Sequence, residues 1–177
     1  RPYQLIHGGV LPSLTTVYET YGQLNAARDN AVLVSHAISG DSHVARHCAE
    51  DDPGGWDIVV GPGKVIDTNR LCVIAANVLG GCRGSTGPTS IHPDTGRPYG
   101  PDFRVVTVED MVDVQKLLLD HLEIDQLLAV VGGSMGGHQA LCWATRYPDR
   151  VRGCIPIATS ARLTSQALAF DVVARNA

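Results

Sequence analysis

Val130-Val131-Gly132-Gly133-Ser134-Met135-Gly136-Gly137-His138 sets one serine between two pairs of glycines. An apolar run precedes it and a helix-forming run follows. Gly-x-Ser-x-Gly in that context is the nucleophile elbow, a strand that turns sharply into a helix and lifts a serine hydroxyl into a cleft. The chemistry it serves is attack on an acyl carbon, with the oxyanion held by free N–H groups at the start of the helix. Glycines on either side remove side chains that would collide in so tight a turn. The Met135 amide is one expected oxyanion donor. A second is expected from the loop after an earlier strand, and Ser35-His36-Ala37-Ile38-Ser39-Gly40-Asp41 offers the Ile38 amide.

Two phosphate-binding layouts share the strand–glycine-loop–helix outline, and both fail here. A dinucleotide fingerprint requires Gly-x-Gly-x-x-Gly, but Ser134 stands where the middle glycine belongs. The strand that follows runs into Ile157-Ala158-Thr159-Ser160, with no carboxylate for a ribose. A P-loop ends in Gly-Lys-Ser/Thr, and the chain has Gly137-His138-Gln139. The base for Ser134 is harder to find. Elbow enzymes place Asp or Glu and then His after the serine. The only later histidine is His138, one turn along the same helix, which makes it a wall residue rather than a base. His36, His43, His47, His92 and His121 all precede the serine. His43-x-x-x-His47-Cys48 has the spacing of metal ligands, but no second ligand cluster follows it, so no metal site is expected.

The elements that must position these residues alternate. Ala31–Ser35, Leu71–Ala76, Leu127–Val131 and Val151–Ile157 are short, β-branched runs of the kind buried on both faces of a parallel sheet. Leu14–Tyr21 alternates polar and apolar residues, as an antiparallel edge strand does. Thr107 with Asp110 forms a capping-box pattern, and Met111, Val114, Leu118 and Leu122 then repeat at helical spacing. A second helix is expected over Met135–Tyr147, ended by Pro148, and a third from Leu163 onward. The pattern is α/β with a mostly parallel sheet and an antiparallel N-terminal edge. Gly80–Pro101 has no periodicity; a loop of that length is usually functional.

Composition narrows the function classes. With 177 residues, one domain or part of one is expected. A 44% hydrophobic content supports a buried core. The net charge of −4, with basic residues scattered singly, argues against a nucleic-acid or anionic-membrane partner. No run is long and apolar enough to span a membrane, so a cytoplasmic protein is expected. Five cysteines without a CxxC pair indicate no disulfide framework; Cys72, Cys142 and Cys154 sit in apolar runs as small core residues.

The assembled motifs resemble the homoserine O-acyltransferase family, enzymes of the α/β-hydrolase fold in methionine biosynthesis. The resemblance spans residues 1–177 and rests on Tyr21-Gly22-Gln23-Leu24-Asn25, His36-Ala37-Ile38-Ser39-Gly40-Asp41-Ser42-His43, Gly61-Pro62-Gly63-Lys64, Ile66-Asp67-Thr68, Asn77 through Pro88, and Val131 through Gly137. It implies a ping-pong reaction in which Ser134 takes an acetyl group from acetyl-CoA and passes it to L-homoserine. Succinyl-CoA as donor, serine or another hydroxyl acceptor, a hydrolase of the same fold and an inactive fragment remain alternatives. It also implies substrate contacts from Gly133, Gly136, His36, Ser39 and Arg83, a homodimer in the full-length protein, and no bound cofactor. Relatives continue beyond the end of this chain, and their catalytic Asp, His and lid lie there. The chain is therefore expected to be the N-terminal portion of one catalytic domain, with little transferase activity alone. Ile38-Ser39 stands where Leu-Thr is commoner, and Gly55-Trp56 where many relatives carry a Trp pair.

Overall fold

A computed structural model describes residues 2–176. In chain order it contains β1 (Tyr3–Gln4), β2 (Val10–Leu11), β3 (Tyr18–Tyr21), β4 (Ala31–Ser35), β5 (Val60–Gly61), β6 (Ile66–Asp67), β7 (Cys72–Ala76), α1 (Val108–His121), β8 (Ala129–Gly133), α2 (Met135–Arg146), β9 (Cys154–Ile157) and α3 (Ser165–Asn176). Five strands form the main sheet in the order β3-β7-β4-β8-β9. The pairs β7–β4, β4–β8 and β8–β9 are parallel, and β3 runs antiparallel along the β7 edge. Two short ribbons, β1–β2 and β5–β6, stand outside it.

Every residue of β4 and β7 is buried, because both faces of the sheet are covered. Side chains alternate across a strand, so the two faces build separate cores. Leu33, Ile74 and Val130 point to the side packed by Val112, Leu118 and Leu119 of α1 and Trp143 of α2. Val32, Val34, Val73, Ala75 and Val131 point the other way, under Val44, Ala45 and Val60. Between α1 and α2 runs a buried polar chain. Trp143 Nε1 donates to Gln115 Oε1 at 2.8 Å, and Gln115 Nε2 donates to Gln139 Oε1 at 2.7 Å. Each partner is satisfied, which is the condition under which buried polar groups add rigidity.

The capping box of α1 is present: Thr107 Oγ1 accepts from the Asp110 amide, and Asp110 Oδ2 accepts from the Thr107 amide. Asp110 also takes hydrogen bonds from the Ile6 amide and the Tyr3 hydroxyl through Oδ1. One buried carboxylate thus starts the helix and anchors the N-terminal ribbon.

Three strand boundaries differ from the sequence reading. The strand expected at Leu127–Val131 lies at Ala129–Gly133, and Leu127 only bridges Val151. The one expected from Val151 begins at Cys154 and is not buried on both faces, because β9 is the edge of the sheet on that side. Ile155 and Ile157 are about half-exposed. Only Tyr18–Tyr21 of the expected N-terminal strand pairs with β7. The upstream Thr15 and Val17 amides donate instead to the Thr86 and Ser85 hydroxyls. Those bonds, with Gly80 N–H to Thr86 O at 2.9 Å, order the long loop that has no periodicity.

Candidate active site

Ser134 lies between the last residue of β8 and the first of α2, with φ 54° and ψ −118°. Positive φ in a non-glycine residue costs about 1–3 kcal/mol and persists only where the surroundings enforce it. Here the Ser134 amide donates to Ile157 O at 3.0 Å, while its carbonyl accepts from the Gly137 amide at 2.9 Å. The Ser134 side chain is exposed. Among its glycines, three are enforced by contact. A Cβ on Gly132 would meet Gly136 O at 2.1 Å, one on Gly136 would meet Ser35 O at 2.0 Å, and one on Gly137 would meet Thr159 Cγ2 at 2.4 Å. Gly133 has room, its nearest neighbour being Trp56 at 4.0 Å.

The close approach at Gly136 seats the first turn of α2 directly on the end of β4. It thereby brings Met135 beside the loop that leaves β4. That loop turns through a hydrogen bond from the Gly40 amide to Ala37 O (2.9 Å). His36 is buried with both ring nitrogens engaged: Nδ1 donates to Ala37 O at 2.7 Å and Nε2 accepts from the Val78 amide at 3.3 Å. One tautomer satisfies both, so His36 fastens the loop to the segment after β7. Asn77 does the same from the other side. Its Oδ1 accepts from the Ser42 amide and its Nδ2 donates to Arg83 O, each at 2.6 Å. Ile38 is 83% exposed.

A cavity of about 620 Å³ opens between these segments, lined by Ile38, Ser39, Met135, Arg83, Phe103 and Met111 among others. Its walls are mostly apolar, with Arg83 and Arg104 among the lining residues. Arg83 Nε lies 3.6 Å from Asp41 Oδ2 and the side chain is largely exposed. Ile38 and Met135 therefore line one hollow, and Ser134 is not among its lining residues but immediately precedes Met135 in the chain. The Met135 amide, at the first helical position, has no acceptor within its own helix. Of the sequence-selected residues, Ile38, Ser39, His36, Arg83 and Met135 meet at this cavity. Gly133 and Gly136 shape the elbow behind it.

The histidines that make side-chain hydrogen bonds spend them elsewhere than on Ser134. His36 bonds as described, His43 and His47 bond Glu19, and His92 accepts from the Asp94 amide. His138 lines a separate hollow with Glu109, Cys142 and Leu163. Glu19 is notable because burial alone would push its carboxyl up. Hydrogen bonds from Tyr21, His47 and His43, with the His43 charge, outweigh that and hold it at about 2. Hydrogen bonds to Asp52 O and then to Glu19 raise His43 above the ordinary imidazole range.

The model of the alpha/beta hydrolase fold family matches residues 30–176. The chain belongs to that family. Among curated proteins, it is 57% identical to the homoserine O-acetyltransferase of Symbiobacterium thermophilum and 56% identical to the homoserine O-succinyltransferase of Pseudomonas fluorescens. Each match covers 100% of this chain and 47% of the relative. Among solved structures, the crystal structure of esterase E22 superposes with a TM-score of 0.81 at 44% identity, over 86% of this chain and 44% of that one. The chain thus spans about half the length of the relatives it matches. The family resemblance read from the motifs agrees with these relatives.

Two residues, Asn77 and Glu19, were given no role of their own by the sequence reading. Asn77 carried a signal, a polar side chain directly after an apolar strand, where burial forces it to find partners. Glu19 also carried one: in an alternating strand it shares a face with Tyr21, two residues on. Nothing in the sequence showed that the loop of His43 and His47 folds back over that face.

Proposed function

We propose that these residues form the nucleophile and oxyanion half of an acyltransferase that moves an acyl group from acyl-CoA to the hydroxyl of L-homoserine. The observation that carries the proposal is Ser134, held at positive φ on a strand-to-helix turn, with the next residue, Met135, lining a cavity together with Ile38. Ser134 Oγ attacks the thioester carbon as the base takes its proton, and the negative charge gathers on the carbonyl oxygen facing the two amides. The C–S bond breaks and CoA leaves as the thiol, receiving that proton from the base. The homoserine hydroxyl then attacks the acyl-serine as its proton passes to the base, and the C–O bond to Ser134 breaks as the base returns a proton to Oγ. Acetyl-CoA is the favoured donor; the similarity to a succinyltransferase keeps succinyl-CoA as the second. Arg83 and Arg104 supply positive charge for a substrate carboxylate. The base and its carboxylate partner come from polypeptide beyond residue 177, so residues 1–177 are one portion of a single catalytic domain.

The similarity to esterase E22 favours a second reading, in which water replaces homoserine as acceptor. Release of CoA thiol, with and without L-homoserine, separates the two in the protein that contains these residues. Homoserine-dependent release is expected, with Ser134→Ala lowering it by about three orders of magnitude or more. Equal release in the absence of homoserine would make the protein a hydrolase. Undiminished release by Ser134→Ala would remove the nucleophile assignment altogether.

A further inference from the structure

We propose that Glu19, His43 and His47 form a binding site for a divalent transition-metal ion of the Zn2+ class. The site is separate from the acyl-transfer cavity, and the proposal does not depend on the reaction that cavity performs. Glu19 comes from β3, while His43 and His47 come from the loop after β4, beyond Ser42. Their ligand atoms lie within 4.8 Å of one another. Glu19 Oε2 is 3.0 Å from His43 Nδ1 and 2.8 Å from His47 Nε2. Ligands held at about 2.0–2.2 Å around a tetrahedral ion stand about 3.3 Å apart. Both Glu19 separations fall within about 0.5 Å of that spacing. The His43–His47 separation is at most 4.8 Å, so an ion enters after side-chain movements of up to about 1.5 Å. Two imidazoles and one carboxylate suit Zn2+, and they leave a fourth position for water. His47 is half-exposed, so solvent reaches the cluster.

The surrounding bonds are those that a bound ion requires. His43 Nε2 donates to Asp52 O at 2.8 Å. In the neutral ring this leaves the Nδ1 lone pair pointing at a carboxylate oxygen. Metal-bound histidines are oriented by such a bond from the remote nitrogen to a carbonyl. The carboxylate is oriented as well: the Tyr21 hydroxyl donates to Oε2 at 2.7 Å and the Ser42 hydroxyl to Oε1 at 3.3 Å. The Tyr21 ring stacks on His47 at 4.4 Å and 11° and fixes its plane. A neutral His47 donates its Nε2–H to Glu19 Oε2. The Nδ1 lone pair of a neutral His43, whose Nε2–H is committed to Asp52 O, instead repels that oxygen unless a cation lies between them. A proton on the imidazoles is the competing cation, and the experiment distinguishes it. A bound ion ties β3 to His43, adjacent to the Ser42 amide that Asn77 holds, and so braces the exit of the Ile38 loop.

The test is titration of the chelator-treated protein that contains these residues, using Zn2+ for calorimetry and Co2+ for visible absorption. The expected result is one ion per chain at this site, with Co2+ ligand-field bands and no thiolate charge-transfer band. His47→Ala should weaken Zn2+ binding by at least about tenfold. His47 is half-exposed, so this variant should fold, and His47→Gln serves as a second variant of closer shape. Cys48→Ser should bind like the parent, excluding the exposed neighbouring thiol. Absence of binding, binding unaffected by both His47 variants, or loss of binding in Cys48→Ser would each overturn the proposal.

Discussion

Gly136 and Gly133 look equivalent in the motif, yet their surroundings differ. A methyl group on Gly136 would sit 2.0 Å from Ser35 O and 2.9 Å from His36 O, both backbone atoms that cannot turn aside. One on Gly133 meets nothing closer than 4.0 Å. Gly136→Ala is therefore expected to cost about 2 kcal/mol or more. It should also displace Met135 from the Ile38 loop, whereas Gly133→Ala should stay within about 1 kcal/mol of the parent. Urea unfolding midpoints of the two variants check this, and equal midpoints would contradict it. The identity and strain of Ser134 were legible in the sequence, because Gly-x-Ser-x-Gly fixes a local backbone path. Which glycine is indispensable was not, because the obstructing atom lies about a hundred residues earlier in the chain.

At the scale of elements, the loop after β4, proposed to supply the Ile38 oxyanion donor, is held by partners from a different loop. Asn77 bonds the Ser42 amide and Arg83 O, and its own carbonyl accepts from the Ser85 hydroxyl at 2.8 Å. Asn77→Ala leaves the Ser42 amide and Arg83 carbonyl without these partners, a cost of about 1–3 kcal/mol. It should also lower kcat more than it changes KM, since a loosened loop misplaces the Ile38 amide when charge develops. Stability and kinetics equal to the parent would show that the loop is positioned otherwise. The central strands and both packed helices were readable, because β4 and β7 are buried on two faces and α1 carries its own capping box. The two short ribbons and the order within Gly80–Pro101 were not. They depend on single polar bonds, such as Thr15 N–H to Thr86 Oγ1, that leave no periodic trace.

At the scale of the molecule, the sheet is closed on one side and bare on the other. β3 protects the β7 edge, but β9 exposes Ile155 and Ile157, and α3 contributes no buried residue. Phe170 and Val173 of α3 are two-thirds exposed. The relatives that the chain matches are about twice as long. The family was legible because several of its motifs stand in order along the chain, the elbow and the loop after β4 among them. The base was not, because no histidine among the described residues approaches Ser134 with a side-chain hydrogen bond. The central claim is that Ser134 carries the acyl group between donor and acceptor. The most direct measurement is mass spectrometry of the Ser134 peptide from the protein that contains these residues, acid-quenched after mixing with acetyl-CoA or succinyl-CoA and no homoserine. The account expects an acyl group on Ser134, lost on adding L-homoserine, with its mass identifying the preferred donor. An acyl group on another residue, or CoA release with Ser134 never modified, would contradict it.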